Sequence, residues 1–128
     1  MGTTHFSNLQ AATITATTSF VGDVTGKNIV APTAYAVDGA ISPDVGVASI
    51  TKGTAAAATL AAPGAGNVGK SLLIYAGSAA AHVVTITGLT TNDTLTFGGA
   101  IGDSVLLYAA SATLWVLVSV YNVTPSAA

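Results

Sequence analysis

One segment of the sequence has the spacing of a nucleotide-binding motif. Gly64 to Ser71, GAGNVGKS, satisfies the P-loop pattern, in which a Gly-rich loop, a Lys and a Ser or Thr cradle phosphates. Such a loop must open a helix, whose N-terminal amides hold the anion. The residues that follow, Leu72–Tyr75, are typical of a strand. We therefore interpret the segment as a Gly-rich turn before a strand and predict no bound nucleotide or other cofactor.

The remaining polar residues do not form a recognisable reactive centre. The two histidines, His5 and His82, lack a neighbouring carboxylate cluster of the kind that binds a metal ion. The aspartates neighbour Gly, Asn, Pro or Ser, where an aspartate caps a turn: Asp23, Asp38, Asp44, Asp93 and Asp103. No serine or threonine lies in a nucleophile elbow or beside a convincing base. We predict no catalytic residue, no metal site and no enzymatic activity.

The composition of the 128 residues indicates an all-β protein. The chain has no Glu and no Arg, which normally cover exposed helix faces, whereas Thr, Val and Gly are abundant and suit strands and turns. Only 6% of the residues are charged, and three scattered lysines cannot neutralise a nucleic-acid backbone. A free monomer usually keeps more charge for solubility, so we expect other subunits to cover part of the surface.

Targeting features are not apparent in the sequence. The start of the chain, MGTTHFSNLQ, lacks the basic and apolar regions of a signal peptide, and no apolar run reaches the roughly 18–20 residues of a membrane-spanning helix. There is no cysteine, so no disulfide framework indicates the compartment. We expect no membrane partner and synthesis in the cytoplasm of the producing cell.

Two regions differ in their content of bulky residues. Residues 1–34 alternate small residues with Thr and have too few large side chains to offset an ordering entropy of roughly 1–2 kcal/mol per residue. We predict an extended N-terminal arm that packs on a neighbouring subunit, with disorder as the alternative, and a β domain over residues 35–128. The apolar arm residues expected to contact this neighbouring subunit are Phe6, Leu9, Ile14, Phe20, Val21 and Val24.

Short alternating segments predict the strands of this domain. Asp38-Gly39, between two apolar segments, predicts a two-residue hairpin. Further strands are predicted at 45–51, 57–62, 71–76, 82–87, 94–97, 104–109 and 114–121. Closely spaced short strands with Gly- and Pro-containing turns are typical of an antiparallel β-sandwich or a small barrel, with a jelly roll as one such arrangement.

The most apolar stretch, Gly102–Asn122, has a weaker copy earlier in the chain, at Gly69–Ile86. Eight of the fifteen residues from Gly69 to Val83 recur in order from Gly102 to Val116. We interpret each copy as a strand, a small-residue turn and a returning strand. Both faces of the later strands are apolar, which predicts that one face packs in the core and the other against a symmetry mate. The residues predicted for this packing are Tyr75, Leu106, Tyr108, Trp115, Val116 and Val118.

Two parts of the sequence resemble a known class of proteins. FVGDVTG, Phe20–Gly26, resembles Gly-Asp-Val-Thr-Gly segments of tailed-bacteriophage fibre and head-surface proteins. Residues 50–124, in which TLAAP, AHVVT and GGAIGDS precede a Trp-containing strand, resemble a β domain that recurs in these proteins. The resemblance implies a head decoration (cement) protein or a fibre-type domain, usually in an oligomer.

We therefore expect a virion protein of the capsid surface, with the major capsid protein and copies of itself, as a trimer, for partners. The second hypothesis is a trimeric module of a tail fibre or receptor-binding protein, and the third is a carbohydrate-binding β-domain. A chain of 128 residues that starts at Met leaves no room for a fibre shaft and a tip, which favours decoration. A sugar site would need exposed aromatic side chains, whereas Trp115 and the tyrosines are expected to be buried.

Overall fold

A computed structural model describes residues 30–127, which form ten strands and one 3-10 helix. The strands are β1 (Thr33–Tyr35), β2 (Gly39–Ile41), β3 (Val47–Ile50), β4 (Ala57–Leu60), β5 (Ser71–Ala76), β6 (Val83–Ile86), β7 (Thr94–Phe97), β8 (Ser104–Ser111), β9 (Leu114–Tyr121) and β10 (Val123–Ser126). The 3-10 helix, Ala65–Asn67, lies between β4 and β5. The strands are rich in β-branched and other apolar residues, and the predicted all-β class is confirmed.

The first six strands alternate between two sheets. β1, β3 and β5 are parallel neighbours in sheet A, and β2, β4 and β6 are parallel neighbours in sheet B. The chain therefore coils three times around a common core, and we call the pairs β1–β2, β3–β4 and β5–β6 rungs 1, 2 and 3. Parallel neighbours cannot be joined by a tight hairpin, and the crossing to the opposite sheet supplies the longer connection that they need.

The last four strands complete both sheets with antiparallel pairs. β7 pairs with β6 in sheet B, and β8 pairs with β5 in sheet A. β9 then extends sheet A beyond β8, and β10 extends sheet B beyond β7. The resulting orders are β1-β3-β5-β8-β9 in sheet A and β10-β7-β6-β4-β2 in sheet B. Among residues 30–127, the edge strands are thus β1 and β9 in sheet A, and β2 and β10 in sheet B.

The two sheets enclose one apolar core. Along β5, the buried residues Leu72, Ile74 and Ala76 alternate with more exposed ones, as expected for a strand with one face in the core. Trp115 in β9 is the bulkiest fully buried residue. Its indole N–H donates to the carbonyl oxygen of Ala61, 2.9 Å away, so the polar atom of this side chain is paired inside the protein.

The predicted antiparallel arrangement is wrong for the first six strands, because each sheet contains three parallel neighbours. The two mixed sheets pack as a sandwich and do not close into a barrel, and a jelly roll is not confirmed. The physical reason is that alternation of apolar and polar residues fixes which face of a strand is buried. It does not fix the direction of the neighbouring strand.

Two local predictions fail because consecutive strands lie in different sheets. Asp38-Gly39 does not close a hairpin, since β1 belongs to sheet A and β2 to sheet B. In the internal repeat, β8 and β9 form a hairpin with a two-residue turn, whereas six residues separate β5 from β6 and lead to the other sheet. The repeat therefore holds for β5 and β8, which are neighbours in sheet A, and not for the strands that follow them.

The positions of the predicted strands agree well with the structure. The strands predicted at 71–76, 94–97 and 114–121 are confirmed with the same bounds. β10 is missing from the sequence prediction, because the left-handed backbone of Asn122 (φ 50°) turns the chain after β9 and directs it into sheet B. Of the predicted arm, residues 1–29 lie outside the described residues, and residues 33 and 34 belong to β1.

Candidate interaction surface

The outer face of sheet A, the side turned away from the core, is apolar. In β8, Val105 and Leu107 are buried, whereas Leu106 is half-buried and Tyr108 is 40% exposed. This alternation places Val105 and Leu107 on the core face of β8, and Leu106 and Tyr108 on its outer face. The cross-strand register extends the surface to the neighbouring strands, because residues directly opposite each other point to the same side of a sheet.

Three cross-strand rows make up this surface, which we call the A face. The first row joins Val47, Leu73, Leu106 and Ser119, the second joins Tyr75, Ser104 and Tyr121, and the third joins Ser71, Tyr108 and Val116. None of these ten residues is charged. The A face is therefore a surface of aliphatic, aromatic and hydroxyl groups.

The outer face of sheet B has a different character, although the same strand alternation produces it. Thr59, Thr85 and Thr94 form one cross-strand row, and Thr96 pairs with Thr124. Threonine hydroxyls can donate and accept hydrogen bonds with water, so this face suits exposure to solvent. The chain thus places threonines outside one sheet and large apolar residues outside the other.

Within residues 30–127, no strand carries a charged residue. The charged side chains of this range lie in the connections, at Asp38, Asp44, Lys52, Lys70, Asp93 and Asp103. The sheet edges therefore lack the charges that commonly prevent edge-to-edge pairing. β10 has Pro125, which donates no ladder hydrogen bond, but β9 has neither a charge nor a proline in its eight residues. β9 leaves a long uncharged edge beside the A face.

The structure separates the predicted packing residues into three groups. On the A face lie Tyr75, Leu106, Tyr108 and Val116. Trp115 belongs to the core, with 1% of its surface exposed. Val118 occupies a β-bulge, where the partners of β8 skip from Ser119 to Leu117, and it is 55% exposed. The arm residues predicted to contact a neighbour lie outside the described residues: Phe6, Leu9, Ile14, Phe20, Val21 and Val24.

The sequence prediction missed Val47, Leu73 and Tyr121 as members of the A face. Their place follows from the register of β3, β5, β8 and β9, which no local pattern shows. The expected burial of the tyrosines is wrong for Tyr108 and Tyr121, and Tyr121 is 70% exposed. A local signal existed only for Leu73, which alternates with buried residues of β5 in the same way as Tyr75.

The segment that matches the P-loop pattern does not lead into a helix suited to phosphate. Ala65–Asn67 forms a single 3-10 turn, and β5 begins at Ser71, directly after Lys70. The Nζ of Lys70 donates to Oδ1 of Asn67 at 3.2 Å. A phosphate loop relies on the aligned amides of a following helix, and a strand follows here. The predicted Gly-rich turn before a strand is confirmed.

We expect Lys70→Ala to lower the free energy of unfolding by only about 0.5–1.5 kcal/mol, the usual net contribution of one hydrogen bond. ATP with magnesium should leave the melting temperature of the wild-type protein unchanged, because the segment offers no helix N-terminus to a phosphate. Thermal melts with and without nucleotide check both points. A magnesium-dependent rise in melting temperature that Lys70→Ala abolishes would overturn this interpretation.

Polar side chains join the connections of successive rungs. Lys52 donates to Oδ1 of Asp38 at 2.7 Å, and the backbone N–H of Ala57 donates to the same oxygen. These two bonds, that of Lys52 first, hold the pKa of Asp38 below its ordinary value. At the opposite ends of the strands, Asn67 donates to Oδ1 of Asp44 at 2.6 Å. The contacts link rung to rung and explain the positions of these residues without a reactive site.

His82 is buried, and both of its ring nitrogens form hydrogen bonds. Nδ1 accepts the backbone N–H of Ala56 at 3.1 Å, which places the ring proton on Nε2. Nε2 lies 3.2 Å from Oγ of Ser78 and donates to it, and Ser78 donates to the carbonyl oxygen of Lys52. His82 thus has no free lone pair for the hydroxyl proton of Ser78, so the two cannot act as base and nucleophile. The histidine instead links rung 2 to rung 3.

We expect the protein to lose stability as the pH falls below about 6.5, the ordinary pKa of histidine. Burial lowers the pKa of folded His82, the nearby charge of Lys52 adds to this effect, and the bond with Ser78 opposes it. The unfolded chain therefore takes up a proton near pH 6.5 while folded His82 stays neutral. Stability then falls by up to about 1.4 kcal/mol per pH unit until the folded pKa is reached.

Melting temperatures measured between pH 8 and pH 5 check this prediction. His82→Gln should flatten the profile. His5→Gln, which changes the other histidine, should preserve the slope. A constant melting temperature of the wild-type protein over this range would contradict the prediction.

Asp103 joins the turn before β8 to the turn after β9. Its Oδ2 accepts the N–H of Ala100 at 2.9 Å, and its Oδ1 accepts the side-chain N–H of Asn122 at 2.8 Å. These contacts, that of Ala100 first, lower the pKa of Asp103, so the carboxylate is charged and bonded at neutral pH. The predicted role of this aspartate as a turn cap is confirmed, with the added contact to Asn122.

Within residues 30–127, no group of three or more His, Cys, Asp or Glu residues is arranged to hold a metal ion. In the same range, no helix has the length and apolar character needed to span a membrane. Comparisons with protein-family models, with curated proteins and with solved structures gave no match. The A face is the feature of the described chain that offers most to a partner, and its chemistry is the basis for the function proposed below.

Proposed function

We propose that this chain is a non-enzymatic structural protein of a tailed-phage virion, a capsid decoration protein that binds and stabilises the assembled head. The observation that carries the proposal is the A face, an apolar outer surface on a sheet whose strands carry no charge. The resemblance of residues 20–26 and 50–124 to head-surface proteins supplies the class of particle.

Leaving the A face exposed to water would cost free energy. Removing apolar surface from water contributes roughly 25 cal/mol per Å², and contiguous apolar patches usually mark sites of protein contact. Tyrosine is enriched at such contacts, and the A face holds three of the four tyrosines, Tyr75, Tyr108 and Tyr121. The threonine-rich face of sheet B, by contrast, can remain in solvent. This asymmetry supports a protein that works with its A face covered.

The A face is covered by other copies of the chain in a trimer. Because the A face carries no charge, it needs no complementary charge on its partner. Identical copies can therefore share it around a closed symmetry axis. The second partner is the major capsid protein. The predicted arm binds it by adding a strand to an exposed sheet edge of the capsid protein. In this proposal the protein lies on the capsid surface of the virion.

A trimeric module of a tail fibre or receptor-binding protein is the second candidate, and the stacked rungs favour it. Rungs whose strands pair only with those of the neighbouring rungs can build a stack that extends along one axis. Within residues 30–127, rung 1 lies at the end of this stack, because β1 and β2 are edge strands of the two sheets. A carbohydrate-binding domain is the third candidate, because the exposure of Tyr108 and Tyr121 removes the argument against it.

Binding of the purified full-length protein to undecorated heads, to host cells and to immobilised glycans tests the proposal. We expect saturable binding to heads, with a fixed number of copies per head and greater resistance of the heads to heat. Tyr108→Asp should abolish this binding by dissociating the trimer, and Thr96→Asp on sheet B is the matched control. Binding to cells would favour the fibre module, and binding to glycans would favour the third candidate. Binding to cells or to glycans without binding to heads would overturn the proposal of a decoration protein.

A further inference from the structure

Residues 51–56, which we call the crossing loop, carry the chain from β3 in sheet A to β4 in sheet B. Residues 53–55 are exposed, whereas Ala56 at the end of the loop is buried. The carbonyl oxygen of Lys52 accepts the hydroxyl of Ser78, and the N–H of Ala56 donates to Nδ1 of His82. Both contacts lead to residues 77–82, which connect β5 to β6. The crossing loop of rung 2 is therefore attached to the corresponding connection of rung 3.

His82 is held in place by sheet B. Its carbonyl oxygen accepts the N–H of Phe97 in β7 at 2.8 Å, and its ring meets the ring of Phe97 edge to face, with centroids 6.3 Å apart. β7 is itself paired on both sides, with β6 and β10. A displacement of His82 would therefore disturb sheet B, whereas the crossing loop is irregular and partly exposed. When the contact between them breaks, the loop is the part that can move.

The bond between Ala56 and His82 requires a neutral histidine. Nδ1 accepts the N–H of Ala56 at 3.1 Å, so this nitrogen must keep its lone pair. In a protonated imidazole both nitrogens are donors. The N–H of Ala56 would then face a second N–H inside the protein, and both donors would lack an acceptor. A proton can therefore bind to Nδ1 only after the N–H of Ala56 has moved away.

The groups around the ring also oppose a charge on His82 while the loop is closed. Burial is the main cause of the lowered pKa of His82, and the ammonium of Lys52 adds to it. That ammonium is itself paired with Asp38, at 2.7 Å. Phe97 and Ser78, the other side chains in contact with the ring, are uncharged. Among residues 30–127, no carboxylate is bonded to the ring, so an imidazolium gains most from the water that an open loop admits.

We propose that protonation of His82 releases the crossing loop as a local unit while both sheets remain paired, so that the loop is an acid-sensitive switch between rungs 2 and 3. The release breaks the bond of Ala56 with His82, and it frees the carbonyl oxygen of Ala56 from the N–H of Val83. Global unfolding must break every strand pair as well, so the local opening needs less free energy. No other chain takes part in this switch, which is therefore independent of the proposed function.

Hydrogen exchange of single amides in the full-length chain, followed by NMR between pH 8 and pH 5, tests the proposal. The measured quantity is the protection factor, the ratio of the intrinsic to the observed exchange rate. We expect the protection factor of the Ala56 amide to fall about tenfold for each pH unit below about 6.5, because opening takes up one proton. It should also lie at least about 100-fold below that of Ile74, a buried residue of β5 whose amide should exchange only on global unfolding.

Low concentrations of urea separate the local opening from global unfolding. Exchange of Ala56 should not respond to urea below the unfolding transition, because the local opening exposes little surface, whereas exchange of Ile74 should accelerate. His82→Gln supplies a carbonyl oxygen that can accept the N–H of Ala56 and does not titrate, so we expect a constant protection factor of Ala56 in this variant. His5→Gln, the matched control, should keep the pH dependence.

The nitrogen chemical shifts of the His82 ring give a second readout in the wild-type protein, which does not depend on the folding of any variant. We expect the tautomer with the proton on Nε2 at pH 8, and an imidazolium that forms together with the loss of Ala56 protection. Equal protection factors for Ala56 and Ile74 at every pH would show that the loop opens only with the whole fold. A pH-independent protection of Ala56, or an imidazolium that forms while Ala56 stays protected, would also overturn the proposal.

Discussion

Trp115→Ala is expected to lower the free energy of unfolding by about 3–5 kcal/mol, the usual cost of truncating a large buried aromatic residue. The indole is buried, and its N–H donates to the carbonyl oxygen of Ala61 at 2.9 Å. The backbone N–H of Trp115 donates to the carbonyl oxygen of Gly88, so the residue holds β9 against the connections that follow β4 and β6. Truncation leaves a cavity and an unpaired carbonyl. Since domains are stable by only about 5–15 kcal/mol, this loss is a large fraction of the total.

Denaturant unfolding followed by circular dichroism measures this effect without relying on the single tryptophan. Trp115→Phe keeps much of the packed volume but loses the indole N–H, so we expect an intermediate loss. Ile101→Ala, at an exposed position in the turn before β8, should change stability by less than about 0.5 kcal/mol. A loss below about 1 kcal/mol for Trp115→Ala would contradict a role of this residue at the centre of the core.

Tyr108→Asp is expected to raise the dissociation constant of the oligomer by about 100-fold or more. Tyr108 lies on the A face between Ser71 and Val116 of the neighbouring strands. A carboxylate buried there without a partner costs several kcal/mol. Since about 1.4 kcal/mol corresponds to a factor of ten in affinity, this cost is sufficient for the expected change. The side chain is partly exposed in the single chain, so we expect the substitution to leave the fold intact.

Sedimentation velocity over a range of concentrations measures this dissociation. Thr96→Asp adds the same charge to the outer face of sheet B, at a position that pairs with Val83 and Thr124. We expect this control to associate as the wild-type protein does. If Tyr108→Asp remains as strongly associated as the wild-type protein, or if only Thr96→Asp dissociates, the A face is not the interface.

The positions of the strands could be predicted from the sequence, whereas their partners could not. The bounds of β5, β7 and β9 follow from runs of β-forming residues between turn residues. Asp38-Gly39 has the composition of a hairpin turn, yet the chain crosses there to the other sheet. The crossing is accompanied by contacts between rungs, such as the bond of Lys52 with Asp38, which lies 14 positions earlier. Contacts between residues this far apart produce no local pattern in the sequence.

The A face could be predicted only where one strand carries the whole signal. β8 is apolar on both sides, which indicates an outer apolar surface at Leu106 and Tyr108. The extension of that surface to Leu73 and Val47 depends on the register of three strands. The role of His82 was equally hidden, because it depends on a backbone N–H 26 positions earlier in the chain.

The mass of the wild-type protein in solution tests the central claim most directly, namely that copies of the chain cover the A face. Multi-angle light scattering on the full-length chain measures this mass without a label, a variant or a capsid. We expect one species with the mass of three 12.4 kDa chains throughout the micromolar range. A soluble, stable monomer at high micromolar concentration would contradict the account.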